Sequence, residues 1–167
     1  CIDDDWVGNA DRPERWRDTM VRVEGPVVRQ MQAAFARAWV EATRELLTDH
    51  LLFPRIPVAN GLTCQVMESV PGFKGNPAHL SFLVATAAAR RDIIITNAYF
   101  APDDVALDTL IKAARRGVRV RLLLPSRRTD HRAVRYAGRS DYGQMLKAGI
   151  EIWEYEACQL HAKTMVV

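Results

Sequence analysis

The residues best suited to chemistry stand at the end of the chain, in Leu160-His161-Ala162-Lys163-Thr164-Met165-Val166-Val167. In an extended segment alternate side chains share a face, so His161 and Lys163 point the same way. An imidazole and an ammonium on an otherwise apolar strand are costly unless something uses them. A phosphate suits both: lysine supplies charge, and histidine supplies a nucleophile or a proton donor. On the residues alone, a histidine beside a lysine at a strand edge reads first as solvated surface.

Asn97 and Tyr99 are the next candidates. In the apolar run 93–100 they alternate onto one face, where they either line a pocket near the sheet edge or Tyr99 is simply a buried, hydrogen-bonded tyrosine. Between Arg115 and Arg139 arginines crowd with few acids among them. They are either a solvated face or a surface for anionic lipid headgroups.

These residues need a scaffold. A chain of 167 residues, 49% apolar and 26% charged, can build a domain with a substantial core. Net charge of +3 fits an anionic partner without requiring one. Cys1, Cys64 and Cys158 have no zinc spacing and read as reduced, buried thiols. No cofactor or metal is expected. No apolar run approaches the ~20 residues of a membrane span. The chain opens on Cys1 and stops in the apolar run Met165-Val166-Val167, which reads as truncation at both ends.

Residues 3–19 read as an irregular loop leading into a short strand over 18–23. Gly25 and Pro26 precede a helix over 27–46, with Val28, Met31, Phe35, Trp39, Ala42 and Leu46 on one face, read as a core face. Prolines and glycines break 53–77, a crossover segment holding one strand over 63–68. A regular alternation follows: helix 79–90, strand 93–100, a helix from Asp103 and Asp104 to Gly117, strand 118–124, a helix within 130–148, then strands 150–155 and 161–167. The short link between the last two predicts an antiparallel pair. The expected fold is α/β, a layered mixed sheet flanked by helices. Its domains are 1–52, the crossover 53–77, and 78–167.

The closing run also resembles the HxKxxxxD motif of the phospholipase D superfamily. Its acidic member would fall one residue beyond Val167. Trp16-Arg17-Asp18-Thr19-Met20-Val21-Arg22-Val23-Glu24-Gly25-Pro26 is similar to the segment after the first such motif in bacterial cardiolipin synthases. Asn97-Ala98-Tyr99-Phe100-Ala101-Pro102-Asp103 is similar to the stretch opening their second half. Arg115-Arg116-Gly117-Val118-Arg119-Val120 and Tyr142-Gly143 follow the same pattern.

The resemblance implies that this chain runs from just after the first motif into the second, incomplete at both ends of the fold. In the family two pseudo-symmetric halves share one active site and form a phosphohistidine. His161 would be the second-motif histidine, the general acid and base; Lys163 would hold phosphate oxygens; Asp18 would orient the first-motif imidazole or stand exposed at its strand start. Asn97 and Tyr99 would lie near substrate. The implied activity is phosphatidyl transfer, with phospholipase D-type hydrolysis, a nuclease and a non-catalytic domain as alternatives. The implied partners are a phosphatidylglycerol-like anionic phospholipid and a membrane surface, in a bacterial inner-membrane setting, with the missing N-terminal half of the same protein and no nucleic acid. The chain alone is expected to be inactive.

Overall fold

The computed structural model describes residues 3–57, 61–69 and 76–167. Cys1 and parts of the expected crossover, 58–60 and 70–75, lie outside the described residues. Two compact units result: Cys1–Met20 with His79–Val167, and Val21–Ala78.

The first unit holds two sheets. Strands β1 (Val7–Asn9), β2 (Arg12–Arg17) and β6 (Gln159–Leu160) form the smaller, in the order β1-β2-β6. Strands β3 (Asp92–Asn97), β4 (Arg119–Pro125), β5 (Glu151–Tyr155) and β7 (Lys163–Val166) form the larger, in the order β5-β4-β3-β7. Within it β3, β4 and β5 are parallel, and β7 runs antiparallel to β3. The helices are α1 (Val28–Thr43), α2 (Pro77–Ala88), α3 (Asp104–Arg115), α4 (Arg132–Ser140) and α5 (Tyr142–Lys147). The expected layered α/β architecture with a mixed sheet is what forms.

The core follows from alternation. Ile93 and Ile95 of β3 and Val120, Leu122 and Leu124 of β4 turn to one face. Leu107, Leu110 and Ile111 of α3 and Met145 of α5 pack with them in one buried cluster. Each such side chain contributes roughly 1.5–3 kcal/mol by leaving water. Helix α3 starts where Asp103 accepts from the Ala106 amide at 2.8 Å. It stops at Gly117, whose φ of +91° suits glycine.

Several expectations need correction. Residues 3–19 are not irregular: Asn9 accepts from the amides of Asp11 and Arg12 and folds β1 and β2 into a hairpin. The strand expected over 18–23 is absent, because the ladder ends at Arg17. No strand forms over 63–68; that segment is tied to α1 by Arg37–Glu68 and by Val66 N donating to Gln30 Oε1 at 3.0 Å. Helix α1 ends early, at a left-handed Arg44, and its expected core face is open, with Phe35 55% exposed. The helix expected within 130–148 is two helices divided at Asp141. Of the cysteines, Cys158 is buried and Cys64 is exposed.

The expected antiparallel pairing of the last two long strands is also wrong. β5 and β7 lie on opposite edges of the larger sheet. The link between them does not turn back; it crosses the sheet end and pairs with β2 on the way as β6. Seven extended residues reach about 23 Å, well beyond the three strand spacings of about 14 Å to be crossed.

Candidate active site

That crossing builds the site. β6 runs parallel to β2, with Trp16 opposite Gln159 and Arg17 opposite Leu160. The register continues one step: His161 N donates to Arg17 O at 2.8 Å. Asp18 is thereby set opposite His161, and its Oδ2 lies 2.9 Å from His161 Nδ1. The carboxylate accepts, so Nδ1 carries the proton and Nε2 is left to react. His161 is not a strand residue as the alternation implied. It sits in the gap between β6 and β7, where Ala162 O accepts from Ala98 N at 3.1 Å and joins the chain to the larger sheet.

Lys163 opens β7 opposite Asn97 of β3. Its ammonium donates to His161 O at 2.6 Å and stands 4.9 Å from the centre of the Tyr99 ring. His161 meets the same ring edge-on at 5.8 Å. The two side chains therefore converge on Tyr99, although β-alternation is not the reason. Asn97 acts through a turn: its Oδ1 accepts from Tyr99 N at 2.9 Å and bends the chain out of β3. Tyr99 then donates from its hydroxyl to Asp130 Oδ2 at 2.9 Å.

Sequence reasoning missed Trp6, Trp16 and Asp130. The indole rings of Trp6 and Trp16 lie 4.7 and 5.1 Å from the imidazole. With Tyr99 they wall it on three sides, leaving the His161 side chain 22% exposed. The signal for Trp16 was present: two residues before Asp18, it shares a face with it. Asp130 carried no local pattern, since a loop delivers it from 31 residues away.

The electrostatics follow from this packing. Burial works to raise the Asp18 pKa, but the bonds from His161 and the Thr19 amide, with the charges of His161 and Lys163, leave it below the usual carboxylate value. Burial pulls the Lys163 amine down, against the pull of Asp18 and Asp130. Burial and the bond to Asp130 push the Tyr99 phenol up to about 12, so it remains a donor. The arrangement offers a proton-transfer nitrogen, a cation for phosphate oxygens and a hydroxyl that stays neutral. Among the described residues no three His, Cys, Asp or Glu side chains converge as metal ligands.

Residues 83–167 match the family model described as cardiolipin synthase, phospholipase D-like domain. The chain belongs to this phospholipase D-like family. It is 38% identical over 167 residues to cardiolipin synthase A of Pseudomonas putida GB-1, covering 99% of this chain and 34% of that protein. It is 40% identical to cardiolipin synthase A of Pseudomonas fluorescens SBW25, with the same coverage. The chain spans about a third of the length of these curated relatives. Among solved structures it is similar to Nuc, a phospholipase D family member from Salmonella typhimurium: 26% identity, TM-score 0.42, 54% of this chain and 57% of that one. No helix among the described residues is long and apolar enough to cross a membrane.

Proposed function

We propose that this chain contributes the second-motif half of a phosphatidyl transferase that makes cardiolipin from phosphatidylglycerol. The observation that carries the reading is the Asp18–His161–Lys163 cluster in a chain similar over 99% of its length to cardiolipin synthase A. In the reaction a first-motif histidine supplied by the longer protein attacks phosphorus. As the imidazolium, His161 gives its Nε2 proton to the departing glycerol; the neutral ring left behind then takes the proton of the incoming glycerol hydroxyl at Nε2. Asp18 keeps the Nδ1 proton and the ring orientation through both steps and stabilises the imidazolium, acting on His161. Lys163 neutralises the phosphoryl oxygens. Asn97 acts by positioning Tyr99 rather than by touching substrate.

The aromatic wall of Trp6, Trp16 and Tyr99 favours lipid alcohol over water as acceptor, because a drier pocket disfavours hydrolysis. Residues 1–52 complete the N-terminal half, 53–77 cross over, and 78–167 form most of the second half. The enzyme works at the bacterial inner membrane on anionic phospholipid, and the 167-residue chain alone turns nothing over. Product analysis tests this: the full-length protein given phosphatidylglycerol should release glycerol and form diphosphatidylglycerol. Release of phosphatidic acid alone would establish the hydrolase.

A further inference from the structure

The loop that carries Asp130 to Tyr99 continues into α4, and α4 faces a second feature that the reaction above does not use. Between α4 and the end of β5 lies an open groove of about 740 Å³. Arg127, Arg132, Arg135 and Arg139 line it, facing Glu154 and Glu156.

The charges in it are unequally spent. Arg135 binds both oxygens of Glu154, at 3.1 and 3.0 Å, and Arg139 reaches the same carboxylate. Glu154 is thus used twice. Among the described residues neither Arg127 nor Arg132 forms an ion pair, so the groove carries a net positive charge of two. The Arg135 side chain is only 11% exposed, so its pairing with Glu154 is held largely out of water. Forked guanidinium groups match phosphate oxygens two at a time.

Glu156 narrows the choice. It too forms no ion pair among the described residues, and it lines the same groove. A bare phosphate would meet it as a like charge. A phosphate diester bearing glycerol hydroxyls would give it donors, with the largely exposed Tyr136 phenol offering a further hydrogen bond.

We propose that this groove is a second phosphate subsite, apart from His161 and Lys163, that takes the phosphoglycerol headgroup of an anionic lipid. The assignment rests on the lipid-transfer reading above and deepens it. Arg127 and Arg132 grip the phosphodiester, and Glu156 reads the glycerol hydroxyls. Arg135 and Arg139, fixed by Glu154, set the floor.

The test is phosphorus NMR line broadening with the full-length protein carrying His161→Ala and Lys163→Ala, so that the reacting site contributes little. The probe is glycerophosphoglycerol, the deacylated headgroup of phosphatidylglycerol, with inorganic phosphate in parallel. Glycerophosphoglycerol should broaden. Adding Arg127→Gln with Arg132→Gln should weaken its binding about tenfold, while circular-dichroism melting of the variant stays cooperative. Glu156→Gln should reduce the preference for glycerophosphoglycerol over phosphate. Absence of broadening, equal broadening by inorganic phosphate, or indifference to the two arginines would each overturn the assignment. Binding here by an enzyme that forms only phosphatidic acid would sink the transferase reading and leave the subsite standing.

Discussion

Asp18 and His161 meet across 143 residues of sequence through one hydrogen bond, and its effects are measurable. Asp18→Asn keeps the shape but lets the ring flip tautomer, and full-length enzyme should lose about 10–100-fold in initial rate on phosphatidylglycerol. The same bond has a pH signature. The folded Asp18 pKa lies below its reference of 3.8, so its stabilisation is present above that value and lost as pH falls through the lower folded value. Urea melts should show wild type more stable than Asp18→Asn at neutral pH, with the gap closing in acid below 3.8. A gap that widens in acid would contradict the assignment. Tyr99 runs the opposite way. Raised to about 12, it stabilises fully below 10.0 and loses that contribution as pH rises toward 12. Tyrosine 13Cζ NMR should find the Tyr99 ring still protonated near pH 11, and Asp130→Asn should lower its pKa toward 10.

At the level of elements, α4 is held by a close approach. A β-carbon added at Gly138 would sit 2.1 Å from the backbone oxygen of Phe100, in the turn that presents Tyr99. That oxygen belongs to the main chain and cannot swing away. Gly138→Ala should destabilise by about 1–3 kcal/mol in thermal melts. Gly143 is the control: nothing lies within 4 Å of its missing β-carbon, and in α5 an alanine there should raise stability by about 0.5–1 kcal/mol. The elements also show where sequence reading fails. Strands β3 and β4 and helix α3 announce themselves by periodic apolar residues and by Asp103 and Gly117 at the helix ends. β1 and β2 do not, because Arg12-Pro13-Glu14-Arg15 hides a strand inside polar residues. The pairing of β6 with β2 is invisible for a different reason: two residues make it, and only the three-dimensional path of the chain brings them together.

Across the whole molecule, the site joins residues from both ends of the chain. Asp18 and the two tryptophans come from the first 18 residues, and His161 and Lys163 come from the last seven. The histidine–lysine pair was legible because its residue types and spacing are local. Its use of Asp18 was legible only by resemblance, and that resemblance assigned the carboxylate to the other imidazole. In the structure the carboxylate meets His161. Proton transfer by His161 is the step on which the transferase reading stands, and an activated leaving group isolates it. Full-length enzyme carrying His161→Ala should no longer act on phosphatidylglycerol. Given phosphatidyl-p-nitrophenol, whose phenolate departs without a proton, it should still release one equivalent of nitrophenolate and then stall as the phosphohistidine. Wild-type turnover of phosphatidylglycerol by this variant, or no burst from the activated lipid, would show that the imidazole does not move the proton.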